Sequence, residues 1–178
     1  ADHLRVQCAL GLYRIGYPDL LYEVVRLLTD REVRVRLAAV QILRRGNGTE
    51  PETLDPHRAE GVTAANVLRD LFEGLVTEAP DGTLIPGAAE SWTLSADGLV
   101  YTFKLQGKGR WSNGDPVTAD DFVYGLRRSA DPATLSEYSA ILYPIENAAE
   151  VVAGTLPPER LGVRAVDAQT LEIRLHAP

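Results

Sequence analysis

The chain has 178 residues, 45% hydrophobic and 24% charged, with a net charge of -7, an ordinary balance for a globular chain of one domain or one domain and part of another. No run of about 18 apolar residues marks a membrane-spanning helix, and an acidic chain is a poor partner for nucleic acid. A single cysteine, Cys8, excludes an intramolecular disulfide, and its apolar setting reads as a buried thiol rather than a nucleophile. The charge is unevenly divided: residues 1–45 carry eight basic and five acidic side chains, or +3, and residues 46–178 carry ten and twenty, or -10. Such a shift marks two segments of different origin or environment. The chain begins with Ala and shows no charged-then-apolar leader, so the expectation is a fragment or a processed product.

Residues 1–45 are helical in pattern. Leu4, Cys8, Leu12 and Ile15 recur at steps of three and four, followed by Leu20, Leu21, Val24, Val25 and Leu28, then Val33, Leu37 and Val40. Gly16, Pro18 and Asp19 break the first helix, and Thr29 and Asp30 the second. Laying Leu4-Arg5-Val6 on Val33-Arg34-Val35 puts Ala9 on Ala38, an internal repeat of the kind that stacked helical hairpins produce. The Asp, Val-Arg, Ala-Leu and Ile-Gly-x-Pro pattern resembles short HEAT-like repeats of the phycobilisome-lyase type. One and a half repeats cannot bury their own faces, so this segment must lean on a partner surface. Arg5, Arg34 and Arg36 read either as a partner-binding ridge or, more simply, as solvated arginines. Residues 40–44 fit the end of a helix or the start of a strand; the reading adopted is helix to about Gln41 and extended chain after it. Whether the two segments are a natural fusion, a chimera or a misjoined reading frame stays open at this point.

From residue 46 the pattern changes to α+β. Asn47-Gly48, Glu50-Pro51 and Asp55-Pro56 disfavour helix. Residues 64–73 form an amphipathic helix with Val67, Leu68, Leu71 and Phe72 inward and Gly74 as its cap. Short strands follow at 75–77 and 84–85, with a turn between. Residues 90–93 and the alternating 99–105 are strands joined by the Ser95-Ala96-Asp97-Gly98 turn, and Asn113-Gly114-Asp115-Pro116 is a second turn. Thr118 caps a helix, with Asp121 three residues on, Phe122, Leu126 and Val123 inward, and Arg127-Arg128 at its end. Further helices are expected from 132 to about 143 and over 146–153. Residues 163–166 and 170–175 should form a hairpin.

Residues 86–124, PGAAESWTLSADGLVYTFKLQGKGRWSNGDPVTADDFVY, are the most distinctive string. With GNGTEPETLDPHRAEGVTAANVLRDLFEGLV upstream and residues 131–178 downstream, they resemble the solute-binding proteins of peptide and nickel ABC importers, nearest to the oligopeptide-binding members. The resemblance covers residues 46–178. It implies the N-terminal portion of a peptide-binding lobe without its opposing lobe, located outside the cytoplasmic membrane and associated with importer membrane subunits. It implies an oligopeptide ligand held by its backbone, as if adding a strand. Glu60, Gly61 and Val62 match the loop that lines the ligand cleft in relatives, and Tyr138 matches a cleft tyrosine. Gly61 would permit close backbone approach, Glu60 would offer a charge, and Tyr138 an apolar face with a hydroxyl tip. A half-cleft loses enclosure, so the expectation is that this chain binds peptide weakly or not at all.

No catalytic chemistry emerges. His3, His57 and His176 share no metal-ligand spacing, so neither a metal nor a cofactor is expected. Asp120 and Asp121 read as first-turn carboxylates facing the helix dipole. Trp92, Tyr101, Phe103 and Trp111 read as core. A binding component of an importer is the reading adopted. The alternatives are a HEAT-type interaction module with a structural α+β part, and a non-functional chimera or truncation.

Overall fold

The computed structural model describes residues 51–79 and 81–178. The HEAT-like reading of residues 1–45 and the helix-or-strand question at 40–44 lie outside the described residues. Those described fall into two compact units, one holding 51–54 and 61–72, the other 55–60 and the residues from 73 onward.

The first unit contains helix α1 (Val62–Leu71), entered from Gly61 in extended backbone, whose carbonyl accepts the Ala65 N–H at 2.9 Å. Ala64, Val67 and Leu68 are buried, at the three-and-four spacing of a single helix face. The helix starts two residues earlier than the sequence suggests and stops sooner. Phe72 turns extended and lies 46% exposed instead of inward, and Gly74 is not the cap. Gly74 belongs to the following segment, where its carbonyl accepts the Ala88 N–H at 2.9 Å.

The second unit has mixed helices and antiparallel sheets, the α+β class that the sequence predicts. Strands β1 (Val76–Glu78) and β2 (Leu84–Pro86) form a two-stranded sheet with Thr77 opposite Ile85. Strands β3 (Ala89–Leu94), β4 (Val100–Leu105), β5 (Val163–Asp167) and β6 (Thr170–Arg174) form a second sheet in the order β3-β4-β6-β5. The turn between β3 and β4 is the expected one. Gly98 sits at φ +73°, a conformation costly for a residue with a Cβ, and Asp97 accepts the Leu99 N–H at 3.1 Å.

Register aligns the apolar positions across the four strands. Trp92 faces Phe103, Phe103 faces Leu171, and Leu171 faces Ala165; beside this row run Leu94, Tyr101, Ile173 and Val163. Side chains two apart share a face, so one side of the sheet is apolar throughout. On the other, Lys104 donates to the Thr170 hydroxyl at 2.6 Å and Arg164 pairs with Glu172.

Helix α2 (Ala119–Ala130) packs on β5 and β6. It begins where predicted: Thr118 donates its N–H to the Asp121 carboxylate at 2.7 Å and its hydroxyl at 3.1 Å. It runs to Ala130, with Ala119, Val123 and Ala130 buried. The helix expected from 132 to 143 is instead two 3-10 turns, Pro132–Thr134 and Ser139–Leu142, with Leu135 between them in left-handed backbone at φ 58°. That inversion breaks the helical path. Likewise Asn147 at φ 63° delays the next helix, α3 (Ala148–Val152). At Gly162 three segments meet: its N–H bonds the Glu146 carbonyl at 2.8 Å, and a Cβ would lie 2.7 Å from that of Glu146.

The core gathers Ala89, Leu105, Val123, Ala130, Ile145, Ala148, Val151, Leu161, Val163 and Leu171. Leu171 is fully buried at the centre of the sheet. Leu171→Ala should destabilise the chain by about 2–5 kcal/mol, the usual range for an unfilled leucine site. Urea unfolding followed by Trp92 and Trp111 fluorescence would measure it; a loss below about 1 kcal/mol would mean that the sheet's centre is not where the core is anchored.

Candidate functional site

The loop 55–60 carries one of the predicted site residues, Glu60, and is built on Asp55. The Asp55 carbonyl accepts the N–H groups of Arg58 and Ala59, both at 3.1 Å, while its carboxylate accepts the His57 N–H at 3.1 Å. An Asp that bonds the backbone two residues on closes a local turn without help from a sheet. The same carboxylate takes both arms of the Arg128 guanidinium, Nη1 to Oδ1 at 2.7 Å and Nη2 to Oδ2 at 2.6 Å. A two-pronged pair of this kind is stronger and more directional than a single contact. One residue further along α2, the Ser129 hydroxyl lies 2.6 Å from the His57 Nδ1. At the far end of the loop, the Tyr138 hydroxyl donates to the Glu60 carbonyl at 3.2 Å.

Electrostatics follow this geometry. The Arg128 hydrogen bonds hold the Asp55 carboxyl far below the usual carboxylate range, against partial burial and with help from the His57 N–H. Arg128 is pushed up in return, chiefly by the same bonds. Burial, and then the Arg128 charge, push the His57 imidazole down, so its neutral form is favoured.

The four predicted site residues divide between the two units. The structure brings Tyr138 to Glu60, 78 residues away in sequence, within the second unit. Both are exposed at their side chains, Tyr138 by 55%. Gly61 and Val62 belong to the first unit. Gly61 gives its N–H to the Glu52 carboxylate at 2.8 Å, and a Cβ there would stand 2.7 Å from Glu52 Oε2. The close approach that this glycine permits is thus taken up by the flexible end of Glu52. Val62 opens α1 with 76% of its surface exposed.

Asp55, His57, Arg128 and Ser129 were not picked out as site residues by sequence. Asp55 reads there as a helix-disfavouring neighbour of Pro56, and Arg128 as a cation at a helix end; both are partial truths. Among the described residues, no group of three or more His, Cys, Asp or Glu is placed to hold a metal ion, and no helix is long and apolar enough to cross a membrane.

With this geometry in place, the chain can be set beside known proteins. The family model of the bacterial extracellular solute-binding proteins, family 5 middle, matches residues 83–178. Over 156 residues the chain is 47% identical to the periplasmic oligopeptide-binding protein OppA of Escherichia coli K12, covering 86% of this chain and 28% of that protein. Over 144 residues it is 46% identical to the periplasmic murein peptide-binding protein MppA of the same strain, covering 80% and 27%. The crystal structure of Haemophilus influenzae OppA in complex with RPPGFSPFR matches with a TM-score of 0.71 at 46% identity, over 74% of this chain and 26% of that one. The chain therefore spans a little over a quarter of the length of these curated relatives. Both curated alignments are longer than residues 46–178, so the likeness reaches into the first 45 residues.

The Asp55 pair has a pH signature. A carboxyl whose proton affinity is depressed by folding contributes stability fully above its unfolded value, near 3.9, and loses it as pH falls below about 4. Between pH 5 and 2.5 the melting temperature of the chain should fall more steeply than that of Asp55→Asn. Asp81, Asp97 and Asp167, also shifted down by their own turn hydrogen bonds, are common to both and cancel in the difference. Circular dichroism melts would show it; parallel curves would mean that the pair contributes nothing.

Proposed function

The chain belongs to the bacterial extracellular solute-binding proteins of family 5, and from that premise we propose that it supplies part of the peptide-binding lobe of the receptor component of an ABC importer. The observation that carries this reading is the match over residues 83–178, which takes in β2 and, packed on one core, β3 through β6, α2 and α3. At 46–47% identity the chain is close to one relative named for oligopeptides and to another named for a murein peptide. That favours recognition of what different peptides share, their backbone, over recognition of any one side chain.

In this reading Glu60, Gly61, Val62 and Tyr138 line the cleft. Glu60 offers a charge to a basic side chain, and Tyr138 offers an apolar face beside the loop it supports. The exposure of Val62 and of the Tyr138 ring suits positions on a cleft wall. The activity is binding and delivery rather than catalysis, carried out on the outer side of the cytoplasmic membrane with the importer's membrane subunits as partners. For residues 1–45 the proposal is a HEAT-like helical segment resting on a partner surface. The reach of the curated alignments into those residues weighs the other way, toward one continuous binding-protein segment.

The test is transplantation. Residues 46–178 replace the corresponding segment of E. coli OppA, and the hybrid is assayed for growth of an OppA-deficient strain on oligopeptides and, once purified, by calorimetric titration. Uptake is expected to return, with peptide affinity within about tenfold, or 1.4 kcal/mol, of the parent. A hybrid that melts cooperatively yet neither binds nor transports peptide would refute the reading.

A further inference from the structure

We propose that Asp55 and His57 on the loop, with Arg128 and Ser129 on α2, form a latch that fixes where Glu60 stands, which makes all four positioning residues for the ligand-facing wall. The proposal rests on the reading of Glu60 as a cleft residue and adds what holds it there. Loop 55–60 has no strand or helix of its own, and a six-residue segment held by two backbone turns retains most of the freedom that ordering must remove. The latch supplies what is missing. The two-pronged Asp55–Arg128 pair at 2.6–2.7 Å and the 2.6 Å contact between His57 and Ser129 seize the loop at two points. The Tyr138–Glu60 bond holds its far end.

The anchor is rigid because α2 is. Arg128 and Ser129 sit in its last turn, directly before Ala130, which is buried in the core with Val123. An isolated surface ion pair would contribute little. This one differs: both carboxylate oxygens are engaged, both side chains are about one third exposed or less, and the carboxylate also orders its own loop through the His57 N–H. The planar fork is what the site uses, so lysine is not an equivalent.

His57 adds a pH dependence to the latch. Among the described residues, the charged groups that act on it are Asp55 from its own loop and Arg128 from α2; Ser129 is neutral. An imidazolium would sit partly buried beside the guanidinium, so the closed latch takes up a proton less readily than the open loop. Its depressed pKa means that closure is fully favoured above about 6.5 and weakens as pH falls below that value.

Hydrogen exchange read by mass spectrometry on the full 178-residue chain, without peptide, tests this. The Arg58 and Ala59 amides report the loop, and the amides of β4 and β6 report the fold. In Arg128→Lys and Asp55→Asn the loop amides should exchange about tenfold faster while the sheet amides move by less than about twofold. In the wild-type chain, loop protection corrected for intrinsic exchange should drop between pH 7.5 and 5, and His57→Asn should flatten that drop. Loop exchange unchanged in the first two variants overturns the latch. So does loop exchange that rises only in step with the sheet, which would make the pair a general stabiliser. Since no peptide is present, the result stands apart from the transplantation: an intact latch in a hybrid that fails to bind sinks the functional reading and leaves the latch.

Discussion

The structure of the second unit depends on one non-local pairing, β4 against β6, in which Phe103 lies opposite Leu171 and Lys104 reaches Thr170 from 66 residues away. Each partner already has a local neighbour: β3 is joined to β4 by a short turn, and β5 to β6 by another. Two-stranded ribbons are marginal alone, and three or more strands with an apolar face are needed before a sheet holds itself. The β4–β6 pairing turns two ribbons into one four-stranded sheet, and it puts Leu171 at the centre with none of its surface exposed. Only then is there an apolar platform for α2, and only with α2 seated is there a fixed point for loop 55–60. The order of dependence runs from sheet to helix to loop.

What the sequence could say about this follows the range of each interaction. The β5–β6 hairpin was legible, because both strands alternate within themselves and the turn lies between them. The start of α2 was legible for the same reason, since Thr118 and Asp121 satisfy one another within a single turn. The segment 132–143 was not. Its residues are compatible with helix, and what stops one is the left-handed backbone at Leu135, a residue type that carries no sign of it. Gly74 misled for a related reason. A glycine after an amphipathic run resembles a cap, but its carbonyl is committed to Ala88, and only the pairing of residues 74–75 with 87–89 reveals that.

The candidate site shows the same division. Glu60, Gly61, Val62 and Tyr138 came from resemblance, and nothing in their spacing places a tyrosine 78 residues downstream against the Glu60 carbonyl. The Asp55–Arg128 pair spans 73 residues. Neither partner is unusual alone: an Asp before Pro suits a turn, and an Arg at the end of a helix suits its dipole. In an acidic segment with twice as many acids as bases, many carboxylates were equally good candidates for Arg128. Three-dimensional closure selects one of them.

Asp55 also explains why the loop needs so few residues to be ordered. Its carbonyl closes two turns, one carboxylate oxygen accepts both the His57 N–H and an arm of Arg128, and the other oxygen accepts the second arm. Local shape and long-range attachment therefore reside in a single residue. In the proposed reading of Glu60 as a cleft residue, a wall arranged in this way is set during folding rather than on contact with a ligand. On that reading, entropy that a mobile loop would surrender on binding is surrendered on folding instead. Protonation acts at the same place: a charge on His57 is opposed by burial and by Arg128, the residue that ties Asp55 to the end of α2.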